Sequence, residues 1–188
     1  AQANQGTVIE GSKIIQSTAG NISVTGVGGS RGLYIKASLI AGNNQTTPTA
    51  GGVITINATG GTDYGLHINS GSLISYGAIS ITAIGSGTHS FRLEGLGGKV
   101  KSAGDITISA TSGTWGLTMY NDTFIQSTGG NISITSNGSG GGLYTGSTGG
   151  IYASSNTATP TATPTAGGTL TINTTGATQY GMQMASGS

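Results

Sequence analysis

The sequence predicts an all-β protein: a three-faced parallel β-helix, or β-solenoid, with about 26 residues per coil, 6–7 coils and a super-repeat of four coils. Three observations carry this reading. A Gly-x-Ile-Ser-Ile type of run occurs six times at nearly constant spacing. Each interval between copies holds two further short apolar runs, so every period contains three. All of these runs alternate apolar and polar residues with a period of two, the period of a half-buried strand, and no segment carries a helical period. A seven-stranded β-sandwich would account for the alternation and the turns, but not for near-identical runs at one interval.

The first run begins at Gly20, Gly52, Gly77, Gly104, Gly130 and Gly168. Its leading apolar residues, at 22, 54, 79, 106, 132 and 170, are 32, 25, 27, 26 and 38 residues apart. The two long intervals contain the only prolines, in the Thr/Pro-rich segments 43–51 and 156–167, which read as loop insertions. Parallel stacking would set Ile22, Ile54, Ile79, Ile106, Ile132 and Leu170 in one interior ladder, and Val24, Ile56, Ile81, Ile108, Ile134 and Ile172 in another. The second run spans 32–36, 65–69, 90–94, 116–120, 142–146 and 181–185; the third spans 13–17, 38–42, 72–76, 98–102, 123–127 and 150–154. Glycines at the corners permit tight bends.

A longer period is superimposed. Residues 14–42 resemble 124–152 at an offset of 110, and 51–72 match 167–188 at an offset of 116 with 13 of 22 residues identical. The chain, 1–188, therefore reads as a single solenoid segment containing about 1.6 super-repeats. It starts within a coil at the second strand, GTVIE, and neither end carries an obvious capping segment. The expectation is a stretch of a much longer repetitive protein, or a unit that stacks end to end. The polar start lacks the charged and apolar regions of a signal peptide.

Composition narrows the function classes. Only 11 of 188 residues are charged and the net charge is +1, which gives no electrostatic case for nucleic acid or an anionic membrane. No apolar run approaches a membrane span. Cysteine is absent, so there is no disulfide framework and no Cys-type zinc site.

The runs GNISITS, GDITISA and GAISITA, alternating with GxIxS runs, resemble the coils of filamentous-haemagglutinin-type adhesins and of other giant β-solenoid surface proteins of bacteria. The resemblance covers nearly the whole chain. It implies export, an extracellular or cell-surface position, and an adhesive or fibrous structural role. It implies no particular ligand.

Three surfaces are candidate sites. The outward pairs of the first strand, Ser23/Thr25, Thr55/Asn57, Ser80/Thr82, Thr107/Ser109, Ser133/Thr135 and Thr171/Asn173, form two hydroxylated ladders, similar to the Thr-x-Thr faces of ice-binding solenoids. Short hydroxylated residues also simply suit an exposed strand. Just before the second strand lies a second ladder: Arg31, Tyr64, His89, Trp115, Gly141 and Tyr180. Its aromatic members, Tyr64, His89, Trp115 and Tyr180, would form a platform for sugars or a packed corner. The third surface is the outward face of the second strand, with Tyr34, His67, Arg92, Thr118, Tyr144 and Gln183 followed by Lys36, Asn69, Glu94 and Tyr120. Its candidate ligand residues are Tyr34, Lys36, His67, Arg92, Glu94, Tyr120 and Tyr144, and the alternative is a plain solvated face.

The five acids, Glu10, Asp63, Glu94, Asp105 and Asp122, fall at different corners and coils, and the chain has two histidines. This is no basis for an active site, so no catalytic, cofactor-binding or metal-binding residue is assigned and the chain is not expected to be an enzyme. Thr46, Thr47, Thr163 and Thr165 are candidates for O-glycosylation in mucin-like loops. The expected function is that of a stiff structural or adhesive rod. Its expected partners are further copies of itself or cell-surface glycans, with no nucleic acid and no membrane insertion. The alternative is a carbohydrate- or ice-binding module.

Overall fold

The computed structural model describes residues 5–11, 13–42, 51–146, 149–153 and 168–185. The described residues are all-β, with no helix among them. The candidate threonines of the Thr/Pro-rich segments, Thr46, Thr47, Thr163 and Thr165, lie outside them.

The second run forms β1 (Gln5–Ile9), β4 (Arg31–Ile35), β7 (Tyr64–Asn69), β10 (His89–Glu94) and β17 (Tyr180–Met184). The third forms β2 (Ile14–Ser17), β5 (Ser38–Ala41), β8 (Ser72–Ser75), β11 (Lys99–Ser102), β13 (Phe124–Ser127) and β15 (Gly150–Ala153). The first forms β3 (Ile22–Gly28), β6 (Ile54–Gly60), β9 (Ile79–Gly85) and β16 (Leu170–Gly176). In β12 (Ile106–Met119) and β14 (Ile132–Thr145) the first and second runs fuse into single 14-residue strands.

All pairings are parallel, and each strand pairs with its equivalents in the neighbouring periods. The third runs make a six-stranded sheet in the order β15-β13-β11-β8-β5-β2. The other strands make an eleven-stranded sheet that folds back on itself, nearly closed like a barrel, because β12 and β14 belong to both of its rows. The inward residues of both sheets meet in one core. In β6, for example, Ile54, Ile56 and Ala58 are buried while Asn57 and Thr59 face out. Its last residue shows why the corner is glycine: a Cβ on Gly60 would strike the carbonyl oxygen of Tyr64, where the chain doubles into the second row.

The first ladder runs Ile22–Ile54–Ile79–Ile106–Ile132–Leu170 in register. Its middle members are at most 1% exposed, whereas Leu170, in the last strand of its row, is 41% exposed. Met182 and Met184 in β17 and Ile15 in β2 are exposed in the same way, each at the end of a buried column.

Side chains close the corners between the third strand and the next first strand. The Ser102 hydroxyl donates to Gly77 O (2.5 Å) and accepts from Gly104 N–H (3.1 Å). Ser127 repeats this with Gly104 O (2.7 Å) and Gly130 N–H (2.9 Å). In the same column stand Ala41 and Ala153, and these are the two positions followed in sequence by a Thr/Pro-rich insertion. The residue after the corner glycine makes a second clamp. Asn21 Oδ1 accepts from Val53 N–H (2.8 Å) and Asn131 Oδ1 from Thr169 N–H (2.8 Å), so each GNIS motif holds the backbone that re-enters after an insertion. Asp105 does the same for Asn131 N–H (2.7 Å).

The serine clamp has a testable value. Ser102→Ala removes two hydrogen bonds from a half-buried corner whose Gly104 amide and Gly77 carbonyl keep their own bond (2.7 Å), and is expected to cost about 1–2 kcal/mol by denaturant unfolding. Lys101→Ala on the same strand is expected to stay within about 0.5 kcal/mol of the parent. Equal losses would refute the clamp.

Candidate functional site

The two ladders expected around the second strand come together as one surface. Register sets Arg31, Tyr64, His89, Trp115, Gly141 and Tyr180 on successive rungs, and Tyr34, His67, Arg92, Thr118, Tyr144 and Gln183 on the next outward column. Leu33, Leu66, Phe91, Leu117 and Leu143 turn inward and anchor these strands in the core.

The rings and cations alternate. Arg31 lies over the Tyr34 ring (4.9 Å) and the Tyr64 ring (5.4 Å). Tyr64 stacks on His89 (5.4 Å) and tilts against His67 (4.7 Å), which also meets Tyr34 (5.0 Å). Arg92 lies over Tyr64 (5.7 Å) and Tyr120 (4.9 Å). Tyr144 completes the series, 5.3 Å from Tyr120 and 6.0 Å from Trp115. All lie within cation–π or aromatic contact range.

Glu94 ties the centre together. Its Oε2 accepts from Arg92 Nε (2.9 Å) and Nη2 (2.5 Å), and its Oε1 accepts from His67 Nε2 (2.7 Å). Arg92 Nη1 donates to the Tyr64 hydroxyl (3.3 Å). Burial opposes the charge on both members of the Arg92–Glu94 pair, yet their mutual hydrogen bonds prevail, raising the arginine pKa and lowering the carboxyl pKa. His67 is lowered to about 4 by burial, against the pull of Glu94. It is therefore neutral at pH 7, with the proton on Nε2 toward Glu94 and a bare Nδ1. Burial, helped by the charge of Arg92, lowers His89 to about 4 as well. The Thr88 hydroxyl donates to Asp63 O (2.8 Å), so it accepts from the His89 Nδ1–H (3.0 Å).

The surface is less open than a solvated face. Tyr34, His67 and His89 are buried by their neighbours, and Trp115, Tyr120 and Tyr144 are half-buried. Lys36 is exposed and stands apart, lining a cleft with Glu10 and Lys13. Arg31 and Thr118 enter the cluster although neither ranked among the candidate ligand residues. Four buried side-chain atoms among the described residues lack a hydrogen-bond partner: Arg31 Nε, His67 Nδ1, Thr118 Oγ1 and Thr123 Oγ1. Three of the four belong to this face. The signal for the His67–Glu94 contact was present in the sequence as a diagonal spacing, one rung across and two residues along, which long side chains can span.

The first-row face differs. Its two hydroxylated ladders lie in register, and a third outward column adds Val27, Thr59, Ile84, Thr111, Asn137 and Thr175. None of these residues is charged, but the third column sets apolar Val27, 71% exposed, and Ile84, 40% exposed, beside the hydroxylated ladders.

Two outcomes follow. Each histidine has a native pKa below its unfolded value, so stability is complete above pH 6.5 and falls as pH drops from 6.5 toward 4. The loss is up to roughly 3 kcal/mol per histidine. Glu94, whose pKa is depressed, extends the loss at lower pH. Denaturant unfolding at pH 7 and 4.5 measures this, and a His67→Gln/His89→Gln variant is expected to flatten the profile between those values. A Cβ on Gly141 would strike the Trp115 ring. Trp115 is the only tryptophan, so Gly141→Ala is expected to shift its emission and to cost about 1–3 kcal/mol. Unchanged emission would mean that the ring does not lie over Gly141.

No family model, no curated protein and no solved structure matches this chain.

Proposed function

We propose that this chain is a segment of an extracellular, bacterial cell-surface repeat protein and that it works as a stiff structural or adhesive rod. On this reading the folded sheets are the faces of a single three-faced β-solenoid over 1–188, with about 26 residues per coil, 6–7 coils and a four-coil super-repeat. The observation that carries it is the register. Each strand pairs with its own equivalent one period away, and the offsets depart from 24–27 only where Thr/Pro-rich segments intervene. Such a stack resists bending, because each coil bonds along its whole contour to the next. Its partners are further copies of itself, end to end or side by side, or glycans on a neighbouring cell. No residue is assigned a catalytic role.

A second reading, a carbohydrate- or ice-binding module, draws support from the two periodic faces. The aromatic cluster favours the carbohydrate form over the ice form, because serine and asparagine break the threonine regularity of the two ladders and apolar Val27 and Ile84 stand in the column beside them.

Negative-stain electron microscopy at rising protein concentration tests the rod. Uniform rods of constant width are expected, lengthening with concentration. Compact particles with no long axis would sink this reading.

A further inference from the structure

We propose that the outer face around Gly141 is a subsite for a neutral pyranose glycan, with Trp115, Tyr144 and Tyr180 as its stacking rings. This rests on the adhesive part of the reading above and names its ligand class.

The super-repeat supplies the argument. Tyr34 and Tyr144 are equivalent at an offset of 110, as are Arg31 and Gly141, while Tyr64 and Tyr180 are equivalent at an offset of 116. In the first super-repeat the Arg31 guanidinium covers Tyr34 and Tyr64. In the second both tyrosines are kept and the arginine is a glycine. Tyr180 stands on the rung beyond Gly141, Tyr144 is half-buried, and the Trp115 ring lies over Gly141. The chain thus covers this position with a guanidinium in one super-repeat and with the indole of the preceding rung in the other, so the second presents rings without a cation.

The chemistry of the rim selects the occupant. Beneath the rings the fully buried Thr118 hydroxyl, one rung from Tyr144, has no hydrogen-bond partner. Trp115 offers an indole N–H, which can only donate. A guanidinium has donors alone and cannot serve that N–H, whereas a sugar hydroxyl both donates and accepts. The sugar's apolar C–H face covers the rings. An acidic sugar would need a free cation, but Arg92 is spent on Glu94 and Tyr64. Arg31 lies four rungs from Gly141, about 19 Å away at 4.8 Å per rung.

As the sole tryptophan, Trp115 reports directly on this subsite. The intact chain is titrated with cellohexaose, mannohexaose, a heparin hexasaccharide and a hexa-arginine peptide, following its emission. A saturable shift with at least one neutral hexaose is expected, unchanged between 50 and 300 mM salt. Tyr144→Ala is expected to weaken it at least about tenfold, and Tyr152→Ala, an exposed ring on the six-stranded sheet, to leave it unchanged. If circular dichroism finds Tyr144→Ala unfolded, Tyr144→Phe and Gln183→Ala replace it, each expected to weaken binding about fivefold through one lost hydrogen bond. No saturable shift with either neutral hexaose, a response to heparin or hexa-arginine alone, or an equal loss in Tyr152→Ala overturns the proposal. Rods in the microscope without a titration response remove only this subsite, and a response in particles that are not rods removes only the rod.

Discussion

In-register parallel stacking constrains every residue of this protein. Each side chain has its equivalent about 4.8 Å away on the next strand, so a position must tolerate its own kind as a neighbour. Isoleucine tolerates isoleucine well, and the buried columns are built from it. Like charges do not, and in the paired strands no charged residue faces another of the same sign. Lys99 lies between Ser72 and Phe124, and Lys101 between Ile74 and Gln126. The scarcity of charge, 11 residues in 188, follows from the stack itself and needs no special solvent or partner.

The same constraint explains why the pattern repeats every four coils and not every one. A coil that continues directly closes its corner with serine, and a coil followed by an insertion carries alanine there. The asparagine of GNIS then catches the returning backbone. Clamp, alanine and insertion belong to one device. Their joint recurrence at an offset near 110 is why nearly the same seven residues are written at 20–26 and at 130–136.

What could be read from the sequence divides along the same physical line. Strand positions, their order and their register follow from a period of two and a period near 26, both written directly in the residues. The third-strand runs differ from β8, β11 and β13 by a residue at either end. Contacts along a diagonal need both periods together and a side chain long enough to use the spacing. His67 and Arg92 are register partners, and Glu94, two residues along, reaches both by the length of its side chain. Burial of Tyr34 and His67 was illegible for a related reason: alternation points them outward, and the large groups on adjacent rungs then cover them. Lys36 shares the column of Glu94 but lies two rungs from it, and lines a cleft with Glu10 and Lys13.

The aromatic face is where the stack departs from like on like. Rings and cations alternate along it, so each guanidinium meets a π-face and not another guanidinium. That solves the repulsion problem but leaves two neutral, buried histidines and three orphaned polar atoms in one place. A rod alone would gain more from isoleucine or threonine at these rungs, which the other faces use freely. Both tyrosine pairs persist between the super-repeats while Arg31 gives way to glycine, so the rings do not depend on that cation. The feature maintained is a row of half-covered rings with polar groups at their edges, an arrangement suited to a ligand that brings both an apolar face and hydroxyls.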